Sequence, residues 1–182
     1  MRIIAGRHKG RRLVAPPGEA VRPTSDRARK GLFDILAHGR FAEGPVFEAV
    51  PVLDVFAGTG AFGLEALSRG AAHASFVEHD RAALAALRAN IAACRAQDRS
   101  TILAVDALTI PPGEPASLVF LDPPYHHDLV SSVVARLHEA GRLTPDTLLI
   151  AETARDEALP IAFPLLAERS YGAARISVWR ES

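Results

Sequence analysis

PVLDVFAGTGAFG, residues 51 to 63, is an apolar run that breaks into glycines at positions 58, 60 and 63. The pattern predicts a strand, a tight turn and the start of a helix. Gly58 and Gly60 permit positive φ and a close approach of the backbone to a ligand, and Gly63 permits the helix to pack close to the strand. Together with Glu78, this spacing also matches the dinucleotide-binding fingerprint. The stretch therefore predicts a nucleotide-like cofactor at the turn without deciding which one.

Asp54 distinguishes between S-adenosylmethionine and NAD as the cofactor. It lies four residues before Gly58, where a carboxylate would repel a pyrophosphate. It suits S-adenosylmethionine, which has no phosphate and carries a cationic sulfonium and a cationic ammonium. We therefore expect S-adenosylmethionine rather than NAD.

Apolar runs of strand length alternate with helical patterns after residue 51. The predicted strands are 52–56, 74–78, 101–105, 117–121 and 147–152, and the predicted helices are 62–69, 80–94 and 128–140. This alternation predicts an α/β fold with a mostly parallel sheet. The tail, 162–168 and 173–180, predicts a closing antiparallel hairpin around Tyr171 and Gly172.

Four acids fall at or near the ends of these strands: Asp54, Glu78, Asp106 and Asp122. Ligands of open α/β sheets bind outside the carboxyl ends of the strands. Each acid alone is as readily a turn or helix cap as a ligand. The four together predict one acidic crevice.

The tetrapeptide Asp122-Pro123-Pro124-Tyr125 resembles the signature of methyltransferases that act on exocyclic amino groups of nucleobases. The Asp122 carboxylate and the Pro123 carbonyl would accept the two amine hydrogens, and both prolines would stiffen the loop. Tyr125 would stack on an extruded base. Because the tetrapeptide indicates an amino group and not its base, an adenine-N6 methyltransferase acting on DNA or RNA stays an alternative.

Basic residues are concentrated at the start of the chain. Residues 1–31 hold nine Arg and Lys against two acids, and the remainder holds twelve against nineteen. Such a segment suits a phosphate backbone, although a solvated terminus explains the same charges. The candidate RNA contacts are Arg7, Lys9, Arg11, Arg12, Arg22, Thr24, Arg27 and Arg29.

Residues 1–15 predict a β-hairpin with a basic tip. A helix capped by Thr24 or Ser25 should then run to about His38, where Gly39 ends it. Its apolar residues recur at helical spacing, so that Arg27, Arg29 and Lys30 are expected outside the packed face.

Three stretches, 1–13, 22–29 and 53–70, resemble the bacterial 16S ribosomal RNA guanine-N2 methyltransferases of the small subunit. The resemblance implies a Rossmann-like class I methyltransferase fold, with an RNA-docking extension at 1–40 and a catalytic domain at 41–182. It also implies Glu78 on the ribose hydroxyls, Asp106 near the adenine and residues 122–125 on the guanine. The implied cofactor residues are Asp54, Phe56, Gly58, Gly60, Glu78 and Asp106. The implied partner is 16S rRNA, within the small ribosomal subunit or its assembly intermediate.

Composition limits the other classes. The 182 residues are 48% apolar and 23% charged, which is ordinary for a globular domain. The single cysteine, Cys94, allows no internal disulfide and supplies no thiolate cluster, so we expect a reducing compartment and metal-free chemistry. No apolar stretch has the length of a membrane span and residues 1–7 lack the apolar core of a signal peptide, so we expect a cytoplasmic protein, and we expect it to be a monomer. A nicotinamide oxidoreductase would leave residues 122–125 without a role, and a non-catalytic RNA-binding module would leave the four acids unexplained. His126 and His127 have no role that we can assign.

Overall fold

A computed structural model of the chain describes residues 1–16, 26–39, 41, 46–125, 127 and 129–181, with the backbone alone at 26 and 27. Its centre is a seven-stranded sheet in the order β3-β2-β1-β4-β5-β7-β6. Strands β1 to β5 run parallel to one another, and β7 runs antiparallel between β5 and β6. The strands are β1 (Pro51–Val55), β2 (His73–Val77), β3 (Ser100–Leu103), β4 (Leu118–Leu121), β5 (Leu148–Ala154), β6 (Leu165–Tyr171) and β7 (Ala174–Arg180).

The helices cover both faces of this sheet. They are α1 (Asp26–His38), α2 (Ala61–Arg69), α3 (Arg81–Ala93) and α4 (Leu129–Glu139). Successive strand residues point to opposite faces, so Val52 and Phe120 pack with α1, α2 and α3, whereas Leu53 and Leu121 pack with α4. Burial on both faces explains why the central strands are continuously apolar.

The predicted alternation of strands and helices is confirmed, as is the antiparallel hairpin of β6 and β7. Four predicted bounds are wrong by two or three residues, and two of them are the end of β5, at Ala154 rather than 152, and the end of β6, at Tyr171 rather than 168. Strand β6 begins at Leu165 rather than 162, and β3 ends at Leu103 rather than 105. Asp106 therefore lies beyond the strand and caps a short 3-10 turn, Ala107–Thr109, by accepting from the Leu108 N–H.

Residues 1–16, hereafter the arm, form the predicted hairpin. An antiparallel bridge joins Arg2 to Arg12, and the 3-10 turn Gly6–His8 forms its tip. The apolar side chains of Ile3 and Leu13 are buried in the same hydrophobic cluster as α1 and α2. The arm therefore packs on the body of the protein.

Helix α1 ends at His38, as predicted. The predicted cap at Thr24 or Ser25 and the candidate contact Arg22 lie outside the described residues. The prediction that Arg29 lies outside the packed face is wrong, because Arg29 is only 1% exposed. Its Nη2 donates to the Arg2 carbonyl at 2.6 Å. This guanidinium therefore binds the backbone of the arm to α1.

Among the residues that the structure describes, no helix is long and apolar enough to cross a membrane.

Candidate active site

The glycine turn after β1 has the backbone conformation that the sequence predicts. Gly58 has φ +54° and Gly60 has φ +77°, both in the left-handed region that favours glycine. A Cβ on Gly58 would meet only the Phe56 carbonyl oxygen, at 3.9 Å, so the turn is open there. A Cβ on Gly63 would lie 2.4 Å from the Phe76 ring, which confirms close packing of α2 on the sheet.

Strand register aligns four residues in one row, of which three directly follow β1, β2 and β4 and the fourth lies inside β5. Val55 pairs with Val77 on one side and with Leu121 on the other, and Leu121 pairs with Ala151. The residues that directly follow these paired positions are Phe56, Glu78, Asp122 and Glu152. Phe56 is half-buried and has φ +64°, which is uncommon outside glycine and marks a constrained turn.

Asp54 lies beneath the turn, inside β1 and fully buried. Its Oδ2 accepts from the Gly63 N–H at 2.8 Å, which ties the first turn of α2 to the strand. Burial raises the pKa of Asp54 well above its usual value, and the nearby Asp122 and Glu78 carboxylates raise it further against the opposing effect of the Gly63 N–H. Asp122 and Glu78 therefore both lie within electrostatic range of Asp54.

Glu78 follows β2 and supports the glycine turn. Its Oε2 accepts from the Gly58 N–H at 2.8 Å, and its Oε1 accepts from the N–H groups of His79 and Asp80 at 2.7 and 2.8 Å. A carboxylate has about four acceptor positions, so Glu78 retains capacity for a ligand hydroxyl. Asp106, by contrast, is exposed and lies beyond the row, and its place near an adenine stays a prediction.

The Asp122–Tyr125 loop follows β4 and is held by a residue that the sequence analysis did not single out. Tyr125 is half-buried, and its hydroxyl donates to Glu152 Oε1 at 3.2 Å. Glu152 lies in β5 and is 3% exposed. In the sequence, Glu152 could have been recognised as a site residue because it is a carboxylate in the mostly apolar predicted strand 147–152. The hydrogen bond ties the Tyr125 hydroxyl to β5, the strand that pairs with β4.

The basic tip of the arm borders an open depression of about 340 Å³. The four predicted contacts Arg7, Lys9, Arg11 and Arg12 are all exposed and line it together with His8 and Ala93. Partial burial lowers the pKa of His8, and the positive charges of Arg11, Arg7 and Arg99 lower it further. Arg99, from the 3-10 turn Gln97–Arg99, thus adds a cation that sequence reasoning missed.

None of the other predicted RNA contacts is seen at the exposed depression in the part of the chain that the structure describes. Arg22 and Thr24 lie outside the described residues, as does the side chain of Arg27. Arg29 is a correction, because a guanidinium that is 1% exposed and bonded to the arm backbone does not reach a phosphate in this conformation.

The chain matches known proteins in sequence and in fold. Residues 1–180 match the model of a family described as Conserved hypothetical protein 95. The chain is 38% identical to the ribosomal RNA small subunit methyltransferase D of Escherichia coli strain K12 over 88% of this chain and 78% of that protein.

Solved structures share the fold. The Escherichia coli protein yhhF is 34% identical, with a TM-score of 0.85 over 100% of this chain and 98% of that one. An RNA methyltransferase from Salinibacter ruber, solved with S-adenosyl-L-homocysteine, is 16% identical, with a TM-score of 0.66 over 87% of this chain and 93% of that one. The predicted Rossmann-like methyltransferase fold is confirmed. The chain belongs to the family of the ribosomal RNA small subunit methyltransferase D proteins.

Proposed function

We propose that this protein transfers a methyl group from S-adenosylmethionine to the exocyclic N2 amino group of a guanine in 16S rRNA of the small ribosomal subunit. The observation that carries the proposal is the row that strand register aligns. It sets Glu78 beside the glycine turn, and Asp122 beside the Tyr125–Glu152 pair. The names of the similar proteins support ribosomal RNA as the substrate.

Two observations support the glycine turn as the binding site of S-adenosylmethionine. Asp54 Oδ1 is buried and has no hydrogen-bond partner among the described residues, and the space beside Gly58 is open. A cation bound near Asp54 and Glu78 would relieve the repulsion between these two carboxylates and favour their ionised forms. Glu78 would accept from the ribose hydroxyls, and Phe56 and Asp106 would border the adenosine. S-adenosylmethionine, once bound, supplies an electrophilic methyl group on a sulfonium.

Asp122 and the Pro123 carbonyl would hold the guanine amine. Its lone pair is delocalised into the ring, so two acceptors on its hydrogens orient the group and favour a geometry in which the pair faces the methyl donor. Tyr125 would stack on the extruded base with its hydroxyl fixed by Glu152. Alignment of two bound reactants supplies up to roughly 7 to 11 kcal/mol of barrier reduction.

The exposed tip of the arm would dock the RNA. Arg7, Lys9, Arg11 and Arg12 would contact phosphates around the depression. Arg22, Thr24 and Arg27 stay predicted RNA contacts. We propose that the protein acts as a cytoplasmic monomer on the small subunit or an assembly intermediate, because the arm and the row belong to one chain.

Product analysis tests this function. The protein is incubated with labelled S-adenosylmethionine and, separately, naked 16S rRNA, small subunits lacking the modification, or DNA, and the modified nucleoside is identified. We expect N2-methylguanosine from one of the RNA substrates. N6-methyladenosine would instead assign the alternative activity, and no transfer to any of the three would contradict the proposal.

Replacing Glu78 with alanine should weaken S-adenosylhomocysteine binding by about 1 to 3 kcal/mol, the cost of a lost hydrogen bond to a charged group. Part of this loss arises because the Gly58 N–H loses its acceptor. Calorimetry measures the affinity. Asp80→Ala is a matched control, since it removes the α3 cap to Ala83 and costs about 1 kcal/mol of folding stability without touching the turn. Unchanged affinity in the Glu78 variant would remove Glu78 from the site.

A further inference from the structure

Asn90 joins the arm to the glycine turn. It lies in α3 and is 1% exposed. Its Oδ1 accepts from the Val14 N–H at 2.8 Å, and its Nδ2 donates to the Val14 carbonyl at 3.0 Å and to the Thr59 carbonyl at 2.9 Å. The amide thus pairs with Val14 as a strand would, and it uses its second hydrogen on the residue between Gly58 and Gly60. One side chain fixes two segments that the sequence separates by more than forty residues.

Further contacts tie the arm to α2, which begins directly after the turn. The Glu65 carboxylate is fully buried and accepts from the N–H groups of Ile4 and Ala5. Ser68 Oγ accepts from the His8 N–H. Thr59 Oγ1 lies 3.5 Å from the Met1 sulfur. The position of the arm and the shape of the turn are therefore mechanically connected, and Asn90 is a buried side chain that hydrogen-bonds to the backbone of both.

We propose that Asn90 is a positioning residue through which RNA on the arm and the cofactor at the turn raise each other's affinity. The inference rests on the proposed function, because it needs both ligands. RNA phosphates on the exposed tip hold the arm in its docked position, in which Asn90 makes all three bonds. The docked arm in turn holds Thr59, and with it the turn that receives the cofactor. By linkage, the effect on the two binding constants is reciprocal.

The coupling factor tests the proposal. It is the ratio of S-adenosylhomocysteine dissociation constants without and with a saturating concentration of small subunits lacking the modification, measured by fluorescence. We expect a factor of about five or more in the wild type, at the lower end of common allosteric coupling, and a factor near one in Asn90→Ala. Thr147→Ala is the matched control, because it also removes a fully buried side chain that bonds two backbone groups, but far from the arm. It should keep the wild-type factor.

Each outcome has a defined meaning. An equal factor in wild type and Asn90→Ala, or a factor of one in the wild type, would overturn the coupling while leaving the proposed function intact. A wild type that binds neither ligand would overturn both. Should Asn90→Ala fail to fold, Val14→Pro removes the N–H bonded to Asn90 from the arm side, at a residue 54% exposed. Its factor should fall toward one, and a retained wild-type factor would reject the inference.

Discussion

Asp122→Ala is expected to lower methyl transfer by about 100-fold, the scale on which misplacement of a reacting group costs rate, while S-adenosylhomocysteine affinity stays unchanged. Asp122 directly follows β4 in the row that also contains Phe56 and Glu78. On the proposed mechanism it touches the amine and not the adenosine, so rate and cofactor binding should separate. Single-turnover kinetics and calorimetry on the same preparation measure the two quantities.

Asp122→Asn serves as the shape-matched variant. The amide keeps the size of the side chain and one acceptor oxygen, but it loses the negative charge of the carboxylate. A large loss of rate in both variants places the effect on the carboxylate. Turnover within a few-fold of wild type in a folded Asp122→Ala protein would make the tetrapeptide a structural turn and contradict the mechanism.

Reversing two tip charges, Lys9→Glu with Arg12→Glu, is expected to weaken RNA binding by more than about tenfold, since like charges brought together cost several kcal/mol. Both side chains are exposed at the basic depression. The slope of log affinity against log salt should become shallower by roughly 0.7 for each lost single-strand phosphate contact. Affinity for S-adenosylhomocysteine without RNA should not change, because these side chains do not touch the turn.

The control carries the same change in net charge elsewhere. Arg155→Glu with Arg169→Glu reverses two exposed bases, the first beyond β5 and the second on the edge strand β6. Its salt dependence should match the wild type. Parallel lines of equal intercept for the tip variant and the wild type would show that the arm charges are only solvated.

The sequence predicted the parts of the fold that local pattern determines. Apolar runs and their lengths placed β1 to β5 within a few residues, and the glycine spacing predicted the left-handed conformations at 58 and 60. These features depend on backbone sterics and on burial of a strand on both faces, and both leave a periodic signal in neighbouring residues. The motif at 122–125 predicted the loop after β4 for the same reason.

Tertiary structure decided what depends on contacts between distant residues. A charged residue on a helix was expected to face solvent, yet Arg29 is buried because the arm folds over α1. Strand register brought Glu152 to Tyr125, and the packing of the arm on α3 brought Asn90 to both Val14 and Thr59. Helical or strand periodicity reports which face of an element is buried but not which partner lies against it. The sequence by itself therefore determined the mostly parallel strands, the glycine turn and the candidate chemistry. Only the tertiary structure decided which polar side chains bond the arm, the turn and the 122–125 loop to the rest of the protein.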